Sequence, residues 1–195
     1  FQQQHIQAEQ TKAERKLGKG VNFTLIYGGT EYALMKNLGL SEADAKRTIE
    51  AYKEGFKTFW SFKEAVEAQV LKVGYSTTVL GRRRYNEPKP LYQTNNEYMK
   101  YINKQKREGF NMIVQGTAAD VTKIAMFNVS RNNPFGEKLK MLIQVHDELN
   151  LIAEESIAQD AAYFVKEQME KAEQPFLGEI KAQADIAEIS DHWIH

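Results

Sequence analysis

The chain has no cysteine at all, which excludes disulfide staples and thiolate metal sites and fits a reducing compartment. It also lacks any apolar run long enough to cross a bilayer, and no charged-then-apolar leader of the kind that marks secretion can be read in it, so no membrane partner is expected. Internal repeats and low-complexity segments are missing as well. What remains is ordinary globular composition: 195 residues, 42% hydrophobic and 27% charged, enough for one domain with a real core. The first residue is Phe1 rather than Met, from which the chain is expected to be a piece of something longer.

Net charge is zero, but the sum hides a split. From Arg82 to Arg107 the basic residues Arg82, Arg83, Arg84, Lys89, Lys100, Lys104, Lys106 and Arg107 face only Glu87 and Glu97, whereas beyond Glu148 acidic residues dominate. A phosphate-rich partner responds to the local field within about 10 Å, a Debye length at 0.1 M salt, so the overall balance says little about partners. A solvated charged face is the plainer reading of the same residues.

Caps and breakers divide the chain. Thr11 and Glu14 have capping-box spacing and open a helix that stops at Gly28-Gly29. Thr30 and Ser41 read as further helix caps, the second with Asp44 three residues on, and an aromatic run of Phe56, Phe59, Trp60 and Phe62 follows. Tyr75 to Tyr85 reads as a hairpin around Gly81, and Pro88 and Pro90 as a loop. Helical periodicity returns from Asn95 to Ser130, with a bend expected near Gly109, and Asn132 to Gly136 breaks it. Lys140 to Ile152 reads as two short strands joined near Asp147. Ser156 with Gln159 is expected to cap a helix carrying Ala158, Ala161, Ala162, Val165, Met169 and Ala172 on its apolar face. Alternation over Ile180, Ala182, Ala184 and Ile186 predicts a half-buried strand.

Three constellations carry chemistry. In Leu142 to Leu149 two adjacent carboxylates, Asp147 and Glu148, interrupt an apolar run after His146. Burying a carboxylate without a partner costs several kcal/mol, so a pair set among Leu, Ile and Val calls for a cation, and a divalent metal is the first candidate. Arg15, Lys19, Phe23 and Tyr27 are spaced four apart, which on an α-helix climbs one face at about 6 Å per step. Two cations followed by two aromatics suit a polyanion joined to a flat base, although an amphipathic helix with snorkelling basic residues explains the spacing equally well. Gly18 and Gly20 each cost about 1 kcal/mol in a helix interior and leave room for a ligand to approach the backbone. The third constellation is a ladder of Arg107, Asn111 and Gln115, followed by Gly116-Thr117-Ala118-Ala119-Asp120. Long donors there reach phosphates or the minor-groove acceptors that every base pair shows, and the plain alternative is a polar solvent face.

Taken together, Arg15-x3-Lys19-x3-Phe23-x3-Tyr27-Gly28, the Arg107 to Asp120 helix and Gln144-Val145-His146-Asp147-Glu148-Leu149 resemble, in order, motifs of the family A DNA polymerases, and Asp191-His192-Trp193-Ile194-His195 is similar to their carboxyl terminus. The resemblance runs from Thr11 to His195. It implies an α+β fold: a helical fingers subdomain plus part of a palm with a small antiparallel sheet and packed helices, an incomplete right-hand polymerase architecture. Residues 1–92 would be the fingers portion, with the nucleotide-binding helix at about 11–28, and 93–195 the palm portion, with a minor-groove helix at about 95–130 and a catalytic hairpin at about 140–152.

The same resemblance implies roles. Arg15 and Lys19 would hold the triphosphate, Phe23 would pack on the incoming nucleoside, Tyr27 would sit at the templating base, and Gly28 would permit the turn beyond. Arg107, Asn111 and Gln115 would line the primer-template minor groove, with His146 near the primer end. Asp147 would bind Mg²⁺ in a two-metal site, Glu148 would stay close to the metal and primer terminus, and Lys19 would also donate a proton to pyrophosphate. Implied partners are primer-template DNA, dNTPs and an upstream polymerase fragment supplying the first catalytic Asp, the thumb and the rest of the palm, because the family's first Asp motif is not found here. By itself the chain is expected to be inactive or nearly so. The implied setting is the cytoplasm of a bacterial or phage-infected cell, in association with the nucleoid. Rival readings are a non-catalytic nucleic-acid-binding replication module and a single-subunit RNA polymerase, the latter disfavoured by Glu148 where those enzymes usually carry Ser. The polymerase reading also requires the stripe around Lys19 to face Asp147 across a gap wide enough for one nucleotide.

Overall fold

A computed structural model describes residues 12–91, 94–187 and 189–191. The expected Thr11 cap and the His192 to His195 terminus lie outside these residues. The fold is mostly helical with two small antiparallel sheets, as the α+β expectation requires. Two compact units are present, one made of residues 1–76 and 84–111, the other of 77–83 and 112–195.

In the first unit, α1 (Lys12–Ile26), α2 (Glu31–Leu38), α3 (Glu42–Gly55) and α4 (Lys57–Val73) follow in order. Leu25, Leu34 and Ala45 form a buried core, flanked by Val21, Leu38, Leu40, Ile49 and Tyr52. At the start of α3 the Ser41 hydroxyl accepts from the Asp44 N–H at 3.1 Å, as expected. Thr30 stands at the cap position of α2, but its hydroxyl makes no cap bond. The unit also holds α5 (Asn95–Asn111), which opens on a reciprocal capping box: the Thr94 N–H donates to Glu97 at 2.9 Å and the Glu97 N–H to the Thr94 hydroxyl at 3.3 Å. Helix α5 lies against α4 where Gly109 meets Val70, and Phe110 takes Phe59 and Phe62 edge-on at 5.9 and 6.2 Å. Lys63 is buried beside these rings because Glu67 neutralises it one turn away.

The strands β1 (Tyr75–Thr77) and β2 (Arg83–Tyr85) pair as the expected hairpin, and the division between units falls within it. In the second unit the helical path continues, but residues Met112–Gly116 form a π turn before α6 (Thr117–Asn132). The irregularity expected near Gly109 therefore lies later, at the π turn, and Gly109 serves helix packing instead.

Antiparallel strands β3 (Leu139–Val145) and β4 (Glu148–Ala153) follow, in register from Leu139↔Ala153 to Val145↔Glu148, with an irregularity between Met141 and Ile143. Leu139, Met141, Leu149, Leu151 and Ala153 pack on Val129 of α6 and on Ala161 and Val165 of α7 (Ala158–Leu177). Ser156 does not cap α7. It lies in a 3-10 turn, Glu155–Ile157, and Ile157 takes the cap position with no side-chain bond.

The predicted strand over Ile180 to Ile186 is also corrected. Burial alternates there, with Ala182 buried between exposed neighbours, yet no ladder forms among the described residues. Side chains of α7 take the backbone groups instead: Gln174 accepts from the Ala182 N–H at 3.0 Å, Glu170 accepts from the Ala184 N–H at 3.1 Å, and Lys166 donates to the Ala184 carbonyl. Alternation reports which side chains are buried, and it is silent on what satisfies the backbone.

Candidate nucleotide and nucleic-acid site

The stripe predicted on the first helix is present on α1. Arg15 and Lys19 are exposed, and neither is ion-paired among the described residues. Phe23 is 56% exposed, and its ring stacks on Tyr27 with centroids 6.0 Å apart and planes 21° from parallel. The opposite face supplies Leu25 to the core, so burial leaves the cationic-aromatic face outward. Tyr27 follows the last turn, and the helix closes there in a Schellman arrangement. The Gly28 N–H bonds to Leu25 at 3.2 Å, the Gly29 N–H to Thr24 at 2.7 Å, and Gly28 takes φ 78, where a residue with a Cβ is strained.

Gly18 and Gly20 do not share one explanation. A Cβ on Gly18 would meet nothing within 4 Å, whereas one on Gly20 would lie 2.5 Å from Leu38 Cδ2. The space at Gly20 is filled by packing and is not open to a ligand.

Within the same unit the end of the stripe lies beside the start of the ladder: a Cβ on Gly28 would sit 4.0 Å from Cγ of the exposed Arg107. Arg107 and the half-buried Asn111 both belong to α5. Gln115 is exposed in the π turn of the second unit, so the four-residue arithmetic of an α-helix ends at Asn111.

The acidic pair occupies the tip of the β3–β4 hairpin. His146 and Asp147 form the two-residue turn, and Glu148 opens β4. His146 has φ 54, the only positive φ at a non-glycine among the described residues. A side chain held in that region is strained, and the Gln144 amide, donating to the His146 carbonyl, helps to hold it. The expectation of a carboxylate pair set in an apolar interior is not met: His146, Asp147 and Glu148 are all exposed, because the turn projects past the packed face of the strands. Neither carboxylate has a cationic partner among the described residues.

A magnesium ion is commonly held by one or two carboxylates, with waters and substrate phosphates completing the shell, and Asp147 with Glu148 fits that kind of partial donor set. Among the described residues no group of three or more His, Cys, Asp or Glu side chains is arranged to hold a metal.

The basic segment is less free than its charge count indicates. Arg82 pairs with Asp120 at 2.8 Å, Arg84 with Glu108, and Lys104 with Glu87 at 2.7 Å, while Lys89 sits 4.6 Å above the Tyr98 ring. Lys100, Lys106 and Arg107 carry no ion pair among the described residues. Sequence reading missed the role of Thr78, Arg82 and Asp120, which meet in one network where the exposed Arg82 reaches the buried Thr78 and Asp120. Asp120 accepts from the Thr78 hydroxyl at 2.7 Å and from Arg82 Nε at 2.8 Å, and it is 7% exposed. Burial pushes its carboxyl pKa up, but the bonds from Thr78 and Arg82 and the charges of Arg82 and Lys123 outweigh this and hold it below the ordinary value. The available signal was an Asp at the start of a helix with an Arg-rich turn elsewhere, which does not reveal that the two meet.

A family model for DNA polymerase family A matches residues 2–194, and the chain belongs to that family. It is 38% identical over 159 residues to a thermostable DNA polymerase I of Thermus filiformis, covering 81% of this chain and 18% of that protein. It is 34% identical over 163 residues to DNA polymerase I of Streptococcus pneumoniae, covering 83% of this chain and again 18% of the relative. Among solved structures, the POL domain of Pol1 from M. smegmatis, in complex with DNA primer-template and dNTP, matches with a TM-score of 0.74 and 33% identity over 84% of this chain and 28% of that one. The chain thus spans less than a fifth of the length of these two curated relatives. Its mostly helical fold with two small sheets matches a fingers and palm fragment of such a polymerase.

Proposed function

We propose that this chain is the carboxyl-terminal part of a template-directed DNA polymerase that adds dNTPs to a primer 3′-hydroxyl. The observation that carries the reading is the hairpin tip: a strained His146 presents two adjacent exposed carboxylates with no cationic partner among the described residues, in a chain of family A. Exposed at the turn, the two carboxylates stay hydrated and open to a cationic ligand, and the tight hairpin fixes where they are presented. Residues 1–92 then act as the fingers portion and 93–195 as the palm portion.

Each side chain has a definite task in this reading. Arg15 and Lys19, exposed and without an ion pair among the described residues, bind the triphosphate by charge, and Phe23 packs its open face on the nucleoside. Tyr27 sits at the templating base, with Gly28 turning the chain beyond it. Arg107, Asn111 and Gln115 line the minor groove and His146 approaches the primer end. The primer 3′-hydroxyl gives its proton to water as its oxygen bonds to the α-phosphorus, the bond to the bridging oxygen of pyrophosphate breaks, and Lys19 supplies a proton to that leaving group. Asp147 would hold Mg²⁺, with Glu148 beside it, and the bound metal would supply positive charge at the 3′-hydroxyl and the leaving group, the chemistry of a two-metal site.

The carboxylates present fall short of a two-ion clamp, and the reading therefore includes an upstream polypeptide bearing the first catalytic Asp, the thumb and the rest of the palm. Leu142, Ile143 and Ile152, at 65%, 48% and 55% exposure, form apolar surface on the hairpin that such a polypeptide would cover.

Primer extension by the 195-residue chain, with and without that polypeptide, tests the reading. Extension is expected only with both, and Asp147→Asn should lower it on the order of a hundredfold or more. Full activity from this chain alone, or indifference to Asp147→Asn, would overturn it. Preference for ribonucleotides would point to an RNA polymerase, and duplex binding without extension by the pair to an accessory module.

A further inference from the structure

The second unit contains a polar assembly, built on the buried Thr78 and Asp120 and the exposed Arg82, that none of the tasks above uses. The turn from Thr78 to Arg82 is closed on itself, with the Thr78 N–H donating to the Arg82 carbonyl at 2.9 Å and the Arg82 N–H to the Thr78 hydroxyl at 3.1 Å. Its side chains then reach the start of α6 and the end of the π turn. Thr78 Oγ1 and Arg82 Nε each take one oxygen of Asp120, and Arg82 Nη2 donates to the carbonyl of Gly116, the last residue of the π turn, at 2.9 Å. The Val79 N–H adds a bond to the Thr117 hydroxyl at 3.1 Å. Gly116 is buried, and a Cβ there would lie 2.8 Å from both Thr78 Cγ2 and Met112 Sδ, so close approach of the turn requires a glycine.

A π turn is a rare and less favourable winding that persists where its surroundings impose it. Here the guanidinium fork spans a carboxylate and the carbonyl that ends the turn, which a lysine ammonium on a flexible stem cannot reproduce. We propose that Thr78, Arg82 and Asp120 are positioning residues that hold the π turn and thereby fix Gln115 for contact with the primer-template minor groove. This rests on the reading of Gln115 as a groove contact. Arg82, though 44% exposed, is committed to Asp120 and the Gly116 carbonyl and acts through the backbone that carries Gln115.

The test measures affinity of the full chain for a primer-template duplex by fluorescence anisotropy, well below each variant's melting temperature. Gln115→Ala, Arg82→Lys and Asp120→Asn are each expected to weaken binding about three- to tenfold, the scale of one lost hydrogen bond. In a Gln115→Ala background the other two should add less than about twofold, because they have nothing further to act through. Thr78→Ser keeps its hydroxyl and should bind as the parent does. Arg82→Lys keeps its charge, so its loss of affinity separates the fork from a simple phosphate contact. Additive effects in the double variants would overturn the proposal, as would a lowered melting temperature with unchanged affinity in Arg82→Lys and Asp120→Asn. If Gln115→Ala alone has no effect, the groove reading falls and the latch with it. If Gln115→Ala weakens binding while the latch variants do not, the latch alone falls.

Discussion

Asp120 keeps its charge in the interior because two donors and two cations answer it, and this gives it a defined response to pH. Its folded pKa lies below the ordinary 3.8, so when acid is added the unfolded chain takes up the proton first. The stability it contributes is therefore whole above that value and is lost as pH falls through the lower folded pKa. Other carboxylates with lowered pKa, Glu87 and Glu170 among them, overlap in the same window, so the expected signal is a difference. Thermal unfolding of the parent and Asp120→Asn, followed from neutral pH downward, should show a gap that stays constant and then closes below about pH 4. A gap that persists unchanged in acid would mean that Asp120 does not hold its charge through the network. His146 is a different case at this scale: its left-handed backbone serves the two-residue turn that joins β3 to β4, and it is visible only once φ is known.

Among the elements, the contact of α4 with α5 is the most sharply defined. A Cβ at Gly109 would lie 2.6 and 2.8 Å from the two γ carbons of Val70, and both residues are buried. Alanine at 109 would gain about 1 kcal/mol in helix propensity but lose about 1–3 kcal/mol to overpacking, so Gly109→Ala should be destabilising on balance. Val70→Ala should recover part of the loss when combined with it, and urea unfolding midpoints of the two single variants and the double would show this coupling. Equal and additive losses would show that the helices do not meet at this point. Much at this scale was legible in advance. The Ser41 cap, the hairpin at Tyr75 to Tyr85 and the turn at His146-Asp147 follow from local chemistry that tertiary context did not override. The π turn and the missing ladder at Ile180 to Ile186 did not follow. The first depends on partners brought from residues 78–82, and the second on whether a strand or a set of helix side chains meets the backbone.

Across the whole molecule, the division into units does not run along the chain. The polypeptide passes between them at 76/77, 83/84 and 111/112, so residues 77–83 belong with 112–195 although 28 positions, 84–111, intervene. A fragment of residues 112–195 keeps the core of Val129, Leu139, Ala161 and Val165 but loses every partner of Asp120 that comes from the 78–82 turn. Hydrogen exchange on this fragment should therefore show protection retained in α6, α7 and the β3–β4 sheet core but lost over about residues 112–120, where the intact chain is protected. Unaltered protection over 112–120 would show that the π turn stands without its staple.

Local pattern alone specified the positions of most helices and both hairpins, and the order and spacing of the polymerase motifs, because caps, turns and four-residue periodicity act between near neighbours. It also placed Arg15, Lys19 and Phe23 on one face of α1, since α-helical geometry leaves no alternative once the helix forms. Tertiary structure alone decided that Asp147 and Glu148 stand exposed at a tip, that Gly20 is filled by Leu38, and that Arg82 pairs with the buried Asp120. Those outcomes depend on which distant surfaces remove water from a side chain, and that is a property of packing rather than of neighbours in the chain.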